Sequence, residues 1–160
     1  MQSMIKRDVN IAITPHIELI TQMILDAVEV TEYRRGKTKK DFLCRDDAIY
    51  HRFLRQTGHT TALKHILSKE FLQKTGLPVI GVFSGTQQLD NFLVGSELRN
   101  MHNTFSVNQL ERGDVFVGRK PKVLVVSDAL HDPSYQTKVW EVIKNNQALQ
   151  LNLTLVVFLG

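Results

Sequence analysis

The residues best suited to chemistry lie close together, in the order Arg55-Gln56-Thr57-Gly58-His59-Thr60-Thr61-Ala62-Leu63. A glycine has no Cβ, so backbone N–H groups beside Gly58 can close on an anion. The helix expected to start here adds positive potential at its amino end, which suits phosphate. Thr60 stands where the hydroxyl of a phosphate-binding loop holds Mg²⁺. The same residues also read as a turn glycine followed by two helix-capping threonines.

Other reactive types are more scattered. Arg34-Arg35-Gly36-Lys37-Thr38-Lys39-Lys40 is the densest positive run. It reads as a solvated loop, and equally as a patch through which Arg34, Arg35, Lys37, Lys39 and Lys40 touch nucleic acid or a partner. His51, His59 and His65 lie near Cys44 in sequence but match no standard zinc spacing. Ser84-Gly85-Thr86 follows an apolar run, where ligands of parallel sheets approach strand ends. It reads equally as a strand-to-helix turn. Asp128 closes another apolar run and suits either a site or a turn.

These residues need a scaffold. The 160 residues amount to one domain, taken over 1–160 with a helical preface at 1–45. Twenty Lys and Arg against sixteen Asp and Glu give a net charge of +4, a small excess that weakly favours a polyanionic partner. No apolar run reaches the roughly 20 residues needed to cross a bilayer. The first residues lack the apolar core of a signal peptide. One cysteine excludes an internal disulfide and fits a reducing, cytoplasmic setting.

A helix is expected over 15–31, with Thr14 as cap, Pro15 in the first turn, and Ile17, Ile20, Ile24, Ala27 and Val28 near helical spacing. The segment 49–57 reads as a short strand at 52–55 or as the tail of a helix. A helix at 60–73 places Leu63, Ile66, Leu67 and Phe71 on one face, and Gly76 and Pro78 stop it. Strands are expected at 79–83, 122–126 and 153–159, with a helix-like stretch through Leu89, Phe92 and Leu93 after Ser84-Gly85-Thr86 and a helix over 134–148. Continuous apolar strands separated by helices predict an α/β three-layer sandwich with a mostly parallel sheet, preceded by an N-terminal helix.

The segment 55–61 resembles the Walker A loop of P-loop NTPases. The likeness is to the Arg-Gln-x-Gly-Lys-Thr-Thr variant found in phage terminase large subunits and related helicase-type ATPases. His59 stands at the lysine position, and Phe53 at the first glycine of the standard loop. The run 122–128 is similar to a Walker B strand ending in its Mg²⁺-associated aspartate. Ala129 stands where many such ATPases carry a catalytic glutamate. The resemblance covers about residues 49 to 160.

It implies a P-loop NTPase-like fold in which Gln56, Thr57, Gly58, His59, Thr60 and Thr61 bind ATP. Thr60 and Asp128 would hold Mg²⁺, with Asp128 the catalytic carboxylate. The implied role is DNA packaging, replication or repair, with weak or partner-dependent hydrolysis and a homo-oligomeric form. The alternative is a catalytically inactive module of the same fold that docks on another protein or on nucleic acid.

Overall fold

The computed structural model describes residues 13–38, 43–52, 59–112 and 120–160. Helix α1 (Ile13–Thr38) leads into strand β1 (Ala48–His51). Helices α2 (His59–Ile66) and α3 (Lys69–Thr75) connect it to β2 (Val79–Phe83). Helix α4 (Thr86–Leu93) and a 3-10 turn (Glu97–Asn100) precede β3 (Thr104–Ser106). The one-turn α5 (Val107–Leu110) follows, and then β4 (Val123–Val126). Helices α6 (Pro133–Asn145) and α7 (Gln147–Asn152) lead to β5 (Leu155–Leu159).

The strands form one sheet in the order β1-β5-β4-β2-β3, and every pairing is parallel. Alternate residues of each central strand enter opposite cores. Val79, Val123, Val125, Leu155, Val157 and Leu159 face a core built with α1, α2, α3 and α4. Ile80, Val82, Leu124, Val126, Val156 and Phe158 face a core built with α5, α6 and α7. β2, β4 and β5 are buried throughout, which is why they read as continuous apolar runs. The expected α/β layering is therefore present, with a sheet that is wholly parallel.

Gly81 makes the first core close. A Cβ at this position would stand 2.9 Å from Leu67 Cδ1, just past the end of α2, so a side chain here would push the Leu67 side chain aside.

Several boundaries differ from the sequence expectation, each for a local reason. Helix α1 continues through the start of the basic run to Thr38, so Arg34, Arg35 and Lys37 are helical rather than in a loop. Its buried stripe of Ile20, Ile24, Val28 and Thr31 leads on to Arg35, which bonds into the body of the domain. The strand in the 49–57 region lies earlier than 52–55, at Ala48–His51. The single helix expected over 60–73 is two, because Ser68 turns extended and its Oγ accepts from Phe71 N–H (3.2 Å) to cap α3. The helix expected over 134–148 breaks in the same way at Asn146, whose Oδ1 accepts from Leu149 N–H. Among the described residues no helix is long and apolar enough to cross a membrane.

Candidate functional site

A parallel sheet sends every strand's carboxyl end to one edge, and ligands of open α/β sheets bind outside that edge. Here β1 ends at His51 and the chain returns as α2 at His59, which places Thr60 and Thr61 in the first turn of α2, both exposed. Gln56, Thr57 and Gly58 lie outside the described residues, as do Phe53 and Arg55. His59 is described only as the residue that opens α2. β4 ends at Val126, and Asp128 follows it, exposed.

The two ends are one strand apart. β5 lies between β1 and β4, with Leu159 opposite His51 and Phe158 opposite Val126. Two strand spacings put the ends of β1 and β4 about 10 Å from each other. The ends of β1 and β4, far apart in the chain, thus belong to the same edge of the sheet.

A row of backbone hydrogen bonds holds that edge. Gly160 N–H donates to the His51 carbonyl (3.1 Å), Ala129 N–H to the Leu159 carbonyl (2.9 Å), and Ser127 N–H to the Val82 carbonyl (2.9 Å). Asp128 is therefore gripped on both sides, by β2 through Ser127 and by β5 through Ala129. Its φ of 52° is left-handed, a conformation that aspartate tolerates better than most side chains. Gly160 is also constrained, because a Cβ there would lie 2.6 Å from Leu130 Cβ.

The turn runs directly into α6. Asp132 caps that helix, its Oδ1 accepting from Tyr135 N–H (3.1 Å), and Gln136 Nε2 donates to the Ala129 carbonyl (2.7 Å). Asp132 is thus committed to the cap. Ala129 is fully buried. Tyr135, which sequence reasoning did not single out, brings a buried hydroxyl to this end of the sheet. Burial raises its pKa, and the nearby Asp128 and Asp132 carboxylates raise it further. Its spacing four residues before Val139 marks it as inward-facing on α6, which is the signal that could have found it.

Ser84-Gly85-Thr86 lies at the same edge. β2 leaves through α4 toward β3 on one face, while β4 leaves through α6 and α7 toward β5 on the other. Adjacent strands whose connections part in opposite directions mark the switch point where ligands of such sheets bind. Ser84 and Thr86 are exposed there, and Gly85 caps α4 without a side-chain hydrogen bond. β3, which the sequence did not disclose, ends at Ser106. Its capping box with Gln109 carries a Ser-x-x-Gln signature that was legible.

The basic run is partly spent on the fold. Arg35 places Nη2 3.4 Å from Asp47 Oδ2, and its Nη1 donates to the Leu153 carbonyl (3.1 Å). Arg34 Nη2 approaches Asp47 Oδ1 at 3.5 Å. Lys37 is exposed, with Nζ 4.8 Å above the Tyr33 ring. Lys39 and Lys40 lie outside the described residues. Among the described residues no group of three or more His, Cys, Asp or Glu side chains forms a metal cluster. Thr60 and Asp128 are oxygen donors of the kind Mg²⁺ takes, one hydroxyl and one carboxylate.

The chain matches no family model, no curated protein and no solved structure in the comparisons made.

Proposed function

We propose that this chain is a small P-loop-like protein that binds a nucleoside triphosphate with Mg²⁺ and acts in a DNA-related process such as packaging, replication or repair. The observation that carries the reading is the shared edge. β1, from which the chain runs on to α2, and β4, which Asp128 follows, end at the same edge of the sheet on either side of β5, about 10 Å apart. That separation suits a phosphate chain between a helix amino terminus and a carboxylate.

In this reading Gln56, Thr57, Gly58, Thr60 and Thr61 cradle the phosphates. His59 supplies one hydrogen bond when neutral and two when protonated. Thr60 and Asp128 would hold Mg²⁺, which when bound neutralises phosphate charge. Ala129 has no group to orient an attacking water, and Asp132 is occupied as the cap of α6. Hydrolysis is therefore slow or depends on a residue supplied by a partner, such as a second copy in a homo-oligomer. In this reading Lys37 and Arg34, both exposed, would meet DNA together with Lys39 and Lys40. A cytoplasmic setting fits this role.

The buried Ala129 also favours a second reading, a non-hydrolysing module of the same fold that docks on a related ATPase or on nucleic acid. Thermal melts with ATP, GTP and ADP, with and without Mg²⁺, separate the readings when combined with a phosphate-release assay. A nucleotide shift that Asp128→Ala and Thr60→Val reduce supports binding, and phosphate release in addition supports the enzyme. No shift with any nucleotide rejects both nucleotide binding and turnover.

A further inference from the structure

β1 is an edge of the sheet, and its outer side pairs with no other strand among the described residues. The backbone of a strand turns alternate residues to opposite sides. Val156 N–H donates to the Asp47 carbonyl (3.0 Å) and Gly160 N–H to the His51 carbonyl (3.1 Å), so Asp47, Ile49 and His51 turn toward β5. Ala48 and Tyr50 therefore turn their N–H and carbonyl groups outward, the row that makes an edge a template for another strand. The devices that blunt such an edge are missing from the strand itself. Ala48-Ile49-Tyr50-His51 has no lysine, no proline and no bulge. Tyr50 is 54% exposed on one face of the sheet, stacked on Phe158. On the other face Ile49 shares a groove with Val30 of α1, which is also 54% exposed.

We propose that β1 pairs antiparallel with β1 of a second copy of the chain, making a twofold dimer with one continuous sheet, five strands from each copy. Antiparallel strands exchange hydrogen bonds between residues that both face the partner. The register that uses both outward residues of each strand sets Ala48 of one copy opposite Tyr50 of the other. Ile49 then meets its own counterpart across the twofold axis, and the interface is isologous. The side chains suit this register. The small Ala48 leaves room for the Tyr50 ring beside it. Asp46, exposed just before the strand, comes to Arg52, exposed just after it, once at each end. An in-register parallel pairing would instead bring Asp46 to Asp46 and Arg52 to Arg52, and like charges set opposite are destabilising. The partner is a second copy because this edge is its own charge complement. The surface is independent of the nucleotide reading above.

Sedimentation equilibrium of the full chain, from micromolar to near-millimolar concentration, reads the assembly. Arg52→Asp, Asp46→Arg and the double variant read its register. The wild type is expected to dimerise. Each single variant sets like charges at both ends of the paired strands and should raise the dimer dissociation constant about tenfold. Both substitutions are at exposed positions, so the melting temperature of the dilute monomer should stay near wild type. The double variant restores opposite charges and should return the dissociation constant to near the wild-type value. A wild type that stays monomeric throughout overturns the proposal. A dimer that the single variants leave intact, or that the double variant fails to rescue, has its contact elsewhere and overturns it too. None of these results bears on nucleotide binding.

Discussion

Arg35 binds Asp47 and the Leu153 carbonyl at once, and so ties the end of α1 to the chain entering both β1 and β5. Asp47 also accepts from Cys44 N–H (2.9 Å), and its side chain is only 9% exposed. Removing the carboxylate strands a guanidinium that is itself 16% exposed. Asp47→Ala should therefore cost about 3 kcal/mol in urea unfolding. Arg34→Ala should cost well under about 1 kcal/mol, because that partner is half exposed and its pairing is screened.

The same geometry divides the basic run, with Arg35 held in the fold and Lys37 exposed. Lys37→Gln, combined with Lys39→Gln and Lys40→Gln, should weaken DNA affinity and flatten its salt dependence while leaving the melting temperature within a degree or two of wild type, roughly the surface-substitution range. Arg35→Gln should lower stability first. An unaltered salt slope in the triple variant would remove DNA contact from the role of this segment.

Asp128 allows strain to be separated from function. Alanine and glycine both remove its carboxylate, but only alanine keeps a Cβ at φ 52°. Asp128→Gly should be more stable than Asp128→Ala by about 1 kcal/mol. Both should lose the Mg²⁺-dependent nucleotide shift. Equal stabilities in chemical denaturation would show that the turn relaxes out of the left-handed region.

Gly81→Ala should cost about 1–3 kcal/mol, since the new methyl meets Leu67 in a filled core. Shortening the obstructing side chain should recover part of that loss. The double variant Gly81→Ala with Leu67→Val should be more stable than the sum of the single effects, and a denaturation cycle reads the coupling.

Tyr135 gives a pH signature with a definite sign. Its folded pKa lies above the ordinary value of 10.0, so the unfolded chain loses this proton first. The contribution is complete below that value and falls away as pH rises through the folded pKa. Urea midpoints should therefore drop more steeply in wild type than in Tyr135→Phe between about pH 9 and about pH 11. Parallel curves for the two proteins would show that the phenol ionises freely in the folded state.

The three central strands were legible because burial on both faces makes them apolar at every position, as in Val123-Leu124-Val125-Val126. β1 was harder to place. It is a four-residue edge strand, largely half-buried, and its Tyr50 is exposed and stacked on Phe158. Helix breaks at Ser68 and Asn146 were hidden because the apolar spacing runs on across them, and only the capping side chains mark the interruption. Asp128 could be found from its place after an apolar run. The strand order could not, since no local feature says that β5 inserts between β1 and β4. Tyr135 shows the same limit, because an unpaired hydroxyl is a property of the assembled core.

The pairing of β1 with β5 also fixes when the site can form. β1 is made early, yet its partner in the sheet spans residues 155–159. During synthesis β1 lacks its neighbour in the sheet until β5 has been made. Contacts this distant in sequence slow folding, because a long loop must close before the pairing rewards it. The edge formed by the ends of β1, β5 and β4 therefore assembles only after residues 155–159 have been made.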